Sequence, residues 1–262
     1  MTPDARTDLA LDQRADPDEP LGGRNLVAGW DEAHRHSPAP RHRRRVIRNI
    51  VRPLGARDVL DAGCGQPFLI DDLVSTLGVR GFGCDISDEA MAAAARDFPA
   101  VEFRALDLAN ERWPQDRTFD LVVCSEVLEH VPNWEAALDG VIAMSARHVL
   151  ITVPGGKLRE HDRIVGHIRH FDGPMVSEAL RARGCDVQLV KRWGFPFHTL
   201  YRTLINALGA ERMYDQFGGD RPYTRAQRML SNVLYGVFYV NDRFSSGEQL
   251  YVLARKRQAP SA

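Results

Sequence analysis

Cysteine is scarce in this chain: among 262 residues there are four, Cys64, Cys84, Cys124 and Cys185, and none stands in a C-x-x-C spacing. That speaks against a disulfide framework or a zinc ribbon and for small buried thiols in a reducing compartment. Long apolar runs are missing too. No stretch approaches the length of a membrane span, and the polar amino terminus has no apolar signal core, so we expect a cytoplasmic protein without a transmembrane segment. An excess of one charge is absent: the formal net charge is -1, which gives no whole-chain attraction to nucleic acid or membrane. No internal repeat is present. Two phosphate signatures are incomplete as well. No G-x-x-x-x-G-K-S/T occurs, and Gly63 and Gly65 are followed by Phe68 where the dinucleotide fingerprint G-x-G-x-x-G needs its third glycine.

What is present is an ordinary globular composition, 44% hydrophobic and 26% charged, long enough for one sizeable α/β domain or one domain with additions. The chain is organised around residues 59–66, Val-Leu-Asp-Ala-Gly-Cys-Gly-Gln. This reads as a short buried strand running into a glycine-rich turn, with a helix over 67–77 that starts at Pro67. Gly63 and Gly65 let the backbone turn tightly and leave room for a ligand beside the main chain, and the helix aims its unpaired amides there. Asp61, at the strand end, repels a phosphate and suits an ammonium or a water. The turn therefore favours a nucleoside-like ligand that carries an amino group and lacks phosphates.

The same alternation of strand and helix continues. Strands are expected over 81–85, 101–105, 119–124, 148–153, 187–193 and 249–255, and helices over 88–98, 133–146 and 174–183. Asp85 closes the second strand, where a carboxylate can accept from both hydroxyls of a ribose. It could instead cap the next helix, but Ser87 is better placed for that. Residues 1–24, rich in Asp, Pro and Ala, read as a disordered tail. After the break Ser37-Pro38-Ala39-Pro40, a helix over 41–51 turns Val46, Ile47, Ile50 and Val51 inward and leaves Arg41, Arg43, Arg44, Arg45 and Arg48 mostly outside. That basic face is either solvated and partly neutralised by the acidic tail, or a lid that meets an anionic substrate.

Four motifs, V-L-D-A-G-C-G, G-F-G-C-D-I-S, F-R-A-L-D-L and F-D-L-V-V-C-S-E-V-L-E-H-V, resemble in type and order the successive motifs of class I S-adenosylmethionine-dependent methyltransferases. The resemblance covers about residues 57–192. It implies a Rossmann-like α/β fold: a seven-stranded sheet with six parallel strands and the seventh antiparallel, and helices on both faces. It also implies that S-adenosylmethionine is held by Asp61, Gly63, Cys64, Gly65, Asp85, Ile86, Asp107, Leu108 and Ser125. In that comparison Asp107 accepts from the adenine amino group and Leu108 lies near the ring. An Asp after a strand is also a common turn residue.

Methyl transfer from a sulfonium is an in-line displacement, so the protein has to align the acceptor, exclude water and take a proton when the acceptor is a hydroxyl. His130, next to the fourth strand, and His167 and His170, in the polar stretch 159–171, are the candidate proton acceptors. On a helical turn Glu126, Glu129 and His130 would share a face, a donor set for magnesium or manganese. The E-x-x-E-H pattern is similar to that of ubiquinone-biosynthesis O-methyltransferases and of small-RNA 3'-end 2'-O-methyltransferases, in which a metal orients and acidifies vicinal oxygens. Only Glu126, Glu129 and His130 match. A fourth ligand would come from His161, His167 or His170, and we take His167. Metal-free relatives also carry E-x-L-E-H at this place, with Glu129 bracing a loop and His130 beside the methyl donor, so both readings stand.

Residues 194–247 form an aromatic-rich insert with helices over 198–208 and 225–240, in which Leu200, Leu204, Leu208 and Met229, Leu230, Val233, Val237 recur at helical spacing. An extra helical layer with its own small core is expected. A pocket wall, a dimer face and a membrane-contacting patch are the alternatives. The organisation is thus a tail (1–24), a helical lid (25–56), the cofactor-binding core (57–193), the insert, and a last strand with its tail (248–262). The acceptor is expected to be a small molecule, as in methyltransferases of bacterial natural-product or glycan pathways. Nucleic acid is disfavoured because the arginines lack the aromatic interleaving of single-strand binders. A catalytically silent cofactor-binding module is the competing class, and nothing in the sequence fixes an oligomeric state.

Overall fold

The computed structural model describes residues 31–208 and 222–257. Its centre is one sheet of seven strands: β1 (Asp58–Ala62), β2 (Arg80–Asp85), β3 (Val101–Ala105), β4 (Phe119–Ser125), β5 (Ser145–Pro154), β6 (Cys185–Trp193) and β7 (Gln249–Lys256). Their spatial order is β3-β2-β1-β4-β5-β7-β6. β1 pairs in parallel with β2 and β4, β2 with β3 and β4 with β5, while β7 lies antiparallel between β5 and β6. This is the Rossmann-like arrangement expected. Val59, Leu60, Leu121, Val122, Val149 and Leu150 are all fully buried, because the middle of the sheet is covered on both faces and its strands read as continuous apolar runs. β3, at the edge, exposes Glu102 and Arg104.

The helices between the strands are α3 (Phe68–Leu77), α4 (Asp88–Asp97), α5 (Trp134–Ala143), α6 (Glu160–Ile164) and α7 (Gly173–Ala182). Local chemistry sets their starts. The Ser87 hydroxyl accepts from Ala90 N at 3.2 Å, Asn133 Oδ1 from Ala136 N at 3.3 Å, and Asp172 Oδ1 from Met175 N at 2.8 Å. Several boundaries shift by one to three residues, and two departures have a clear local cause. α5 stops at Ala143, not 146, because Ser145 already pairs with Phe119 across a bulge in the β4–β5 ladder. The stretch 159–171 is not wholly irregular: α6 forms within it, and its Asp162 carboxylate accepts from Arg159 N at 2.8 Å.

The expected tail and the residues up to Trp30 lie outside the described residues. From there α1 (Asp31–His36) leads through Ser37 into α2 (Pro38–Val51). The prolines that suggested a break before residue 41 instead occupy the first turn of α2, where the missing N–H costs nothing. The arginines of α2 are half-buried, not outside. Arg48 donates to Asp72 at 2.9 Å, Arg45 to Asp242 at 2.8 Å, and Arg43 reaches Glu126 at 3.1 Å. The charges that the face needs come from within the fold.

The insert contains α8 (Phe197–Leu208) and α9 (Arg225–Phe238). Its described residues do not build a separate core. Phe238, Phe197 and Tyr201 join Ile47 and Val51 of α2, Trp193 and Tyr251 in the core on one face of the sheet. Its regular apolar stripe is turned the other way: Leu200, Leu204, Leu208, Met229, Leu230 and Val233 are exposed, while His198, Ile205, Ser231 and Phe238 are buried. A helical period identifies a face but not which side it meets, and here the aromatic side, with more area to bury, faces inward.

Candidate active site

The carboxyl ends of β1, β2, β4 and β5 meet at one edge of the sheet, where open α/β folds bind ligands. At the end of β1 the amides of Gly63 and Cys64 both donate to Cys84 O at 2.8 Å, which folds the turn back onto β2. Gly63 has φ +76°, and a Cβ there would stand 2.5 Å from a methyl of Val127, so this position admits only glycine. Gly65 N donates to Asp85 Oδ2 at 2.9 Å, which holds that carboxylate across the mouth of the turn. Cys64 is buried with its thiol 3.7 Å from Met91 Sδ. All four cysteines are free and buried.

Asp61 lies beneath this turn. Burial, and then the charge of Asp85, push its carboxyl up to about 7, against a smaller pull from Arg43. A cation brought beside it reverses that balance. Around the rim, Asp107 accepts from Ala109 N at 2.9 Å and from Asn110 Nδ2 at 2.7 Å, so it shapes its own turn. Leu108 is buried, and Ile86 is 73% exposed. Ser125 Oγ hydrogen-bonds Thr152 Oγ1 at 2.9 Å.

The E-x-x-E-H segment does not lie on a helix. Glu126 has φ +59°, a left-handed conformation uncommon for a non-glycine residue. Its N–H donates to Thr152 O at 2.9 Å, and its Oε1 accepts from Gln249 Nε2 at 2.8 Å and Thr152 Oγ1 at 3.2 Å. Oε2 faces Arg43. Burial alone would raise the Glu126 carboxyl, but Arg43 and these donors hold it below its usual value. Glu126 is thus a fully partnered carboxylate, near enough to Glu129 and His167 for their charges to interact.

Glu129 is its opposite. The residue is entirely buried, and neither carboxylate oxygen has a hydrogen-bond partner. Burial, and then the neighbouring Glu126, push its carboxyl well above the ordinary range. His130 and His167 close on it: one ligand atom from each of the three residues lies within 4.8 Å of the others, and His167 Nε2 is 4.0 Å from Glu129 Oε1. Burial lowers both histidines, His167 to about 4, so both rings are neutral at pH 7. The loop is pinned by Ile168 N, which donates to Glu129 O at 3.0 Å, and by Arg169, which donates to the carbonyls of Val131 and Pro132.

A second group shares His167. Its Nδ1 lies 3.2 Å from His170 Nε2, which stands 3.5 Å from Asp162 Oδ2. Asp162 also accepts from Arg202 at 2.5 Å, and Arg202 and Arg159 both grip Glu248. His161, one of the fourth-ligand candidates, is in neither group. Asp162, Arg202, Gln249 and Thr152 did not emerge from the sequence, and Arg43 did so only as one arginine of the lid helix. Asp162 stands inside the histidine-rich stretch and could have been weighed with it. The others are brought in from distant elements without a local signal.

A glycine turn after β1, an acid closing β2 and a mixed seven-stranded sheet define the class: a Rossmann-like methyltransferase fold. Residues 33–190, more than half of the chain, match the family described as "Methyltransferase domain". A probable S-adenosylmethionine-dependent methyltransferase of Mycolicibacterium smegmatis is 27% identical over 184 residues, 64% of this chain and 66% of that one. A ubiquinone biosynthesis O-methyltransferase of Burkholderia orbicola is 31% identical over 120 residues, 44% of each. The chain spans between 35% and 66% of the length of the first curated relatives it matches. Among solved structures, the N-methyltransferase NodS of Bradyrhizobium japonicum, in complex with S-adenosylhomocysteine, has TM-score 0.57 at 14% identity over 89% of this chain and 95% of that one. The chain belongs to the methyltransferase-domain family. No helix among the described residues is long and apolar enough to cross a membrane.

Proposed function

We propose that this protein methylates a hydroxyl oxygen of a small molecule that carries a second oxygen beside it, with a divalent ion, magnesium or manganese, held by Glu129, His130 and His167. The observation that carries this reading is Glu129. A buried carboxyl group with no partner costs stability, and one bracketed by two neutral imidazoles is a donor set that fits a cation. Similarity to ubiquinone biosynthesis O-methyltransferases favours oxygen as the acceptor atom. A divalent ion there would supply Lewis acidity, orienting vicinal oxygens and making the hydroxyl more acidic.

The chain's own residues do the rest. Asp61 ionises against the amino group of S-adenosylmethionine, and Asp85 accepts from the ribose hydroxyls. Asp107 and Leu108 receive the adenine, with Ile86 at its rim. Gly63, Cys64, Gly65 and Ser125 line the path of the amino-acid part. In the transfer the acceptor oxygen forms a bond to the methyl carbon, the carbon–sulfur bond breaks, and sulfur keeps the electron pair as S-adenosylhomocysteine. With His130 and His167 engaged as donors to the ion, the hydroxyl proton leaves to solvent; in the absence of the ion the lone pair of His130 Nε2 would take it. The lid role of α2 follows from Arg43, which spans from that helix to Glu126.

The test uses the full chain, stripped with EDTA, with S-adenosylmethionine and a catechol-type acceptor. Methyl transfer that is lost on stripping and restored by manganese is the expected result. Transfer undiminished by EDTA would remove the ion from the mechanism and leave His130 as an unaided proton acceptor.

A further inference from the structure

We infer that His170 is a positioning residue: anchored on the carbonyl of Gly156, it fixes His167 in the tautomer that leaves Nε2 bare toward Glu129. The inference rests on the proposed use of the Glu129, His130 and His167 group, but its evidence is the hydrogen-bond chain behind that group.

His170 Nδ1 is 3.3 Å from Gly156 O. A carbonyl only accepts, so Nδ1 must carry the hydrogen. In a neutral ring Nε2 is then a lone pair, and its partner at 3.2 Å, His167 Nδ1, has to be the donor. With its hydrogen on Nδ1, neutral His167 presents a bare Nε2, the nitrogen 4.0 Å from Glu129 Oε1. His130 arrives at the same state by one step fewer, since its Nδ1 donates to Gly166 O at 3.1 Å. Two backbone carbonyls thus leave both Nε2 atoms with lone pairs, and the Nε2 of His167 faces an unpartnered carboxyl group. Ligating histidines have this second-layer support, and its loss costs about 10- to 100-fold in metal affinity.

One other arrangement competes. His170 Nε2 is also 3.5 Å from Asp162 Oδ2, and a hydrogen on Nε2 would serve that carboxylate. It would turn the His170 Nδ1 lone pair against Gly156 O and force His167 Nδ1 to accept, which puts a hydrogen on His167 Nε2. Asp162 does not need it, because Arg202, at 2.5 Å, and Arg159 N already donate to its two oxygens.

The experiment is long-range nitrogen–proton correlation NMR on the full-length, metal-free protein with labelled histidine, assigned by single His→Gln variants. We expect an imine-type His167 Nε2 in the wild type. In His170→Leu the His167 signals should move toward a tautomer mixture. In His170→Gln, whose amide oxygen can accept from His167 Nδ1, the bare Nε2 should return, with manganese affinity about 10- to 100-fold above that of His170→Leu. A hydrogen found on His167 Nε2 in the wild type overturns the inference, whether or not His170→Leu folds. A bare Nε2 in a protein that binds no manganese upholds it, and only the proposed metal then falls.

Discussion

His167 stands between two acids that the fold treats in opposite ways. Asp162 and Glu129 are both buried. Asp162 receives Arg202 and an amide N–H, and these hold its carboxyl below the usual value against the effect of burial. Glu129 receives none and is pushed up. The first is bound into structure. The second is kept in an expensive state, and residues held so against stability mark sites where something else is bound.

The sharpest way to break that comparison is to delete each acid in turn and measure unfolding by urea. Asp162→Ala leaves Arg202 with Glu248 alone and Arg159 N without its acceptor, and is expected to cost about 3–5 kcal/mol. Asp61 extends the comparison to pH. Its folded value of about 7 lies above the unfolded 3.8, so the stability tied to its neutral form is fully present below about pH 4 and is lost as pH rises through 7. At about 1.4 kcal/mol per unit, that is roughly 4 kcal/mol in the ligand-free protein. Asp61→Asn should flatten this dependence in urea titrations run between pH 4 and 8, and an unchanged slope would take Asp61 out of the group. Glu129→Leu moves the other way. Removing an unpartnered buried carboxyl should stabilise the ligand-free chain by about 1–3 kcal/mol while abolishing manganese binding, read by calorimetry. A loss of stability like that of Asp162→Ala would erase the contrast. Smallest of all, Leu204→Gln on the exposed stripe of α8 should stay within about 0.5 kcal/mol of wild type. A larger change would mean that the stripe is covered in solution.

The strands could be read almost to the residue, because a sheet covered on both faces writes itself as unbroken apolar runs, and the turn at Gly63 declares itself by the residues a side chain would exclude. The polarity of the insert could not be read: Leu200 and Leu204 repeat as a core stripe does, and only the aromatic residues opposite decide which side turns in. Within the site, type and spacing single out Glu129 and His130 and leave the further histidine open among His161, His167 and His170. What the spacing does not show is the left-handed backbone at Glu126 and its partners Thr152, Gln249 and Arg43, which lie on three other elements. Pairs that distant leave no periodic trace.

The position of β7 has a consequence for synthesis. This strand inserts between two strands made earlier, and its first residues supply Gln249 to Glu126 and, just before it, Glu248 to Arg159 and Arg202. A nascent chain that has emerged only through residue 193 holds every proposed cofactor and metal residue, together with Arg43 and Thr152, yet lacks Gln249 for Glu126 and Glu248 for Arg159. As domains form from the amino end during translation, the support behind the site should be complete only when the ribosome has released the last strand.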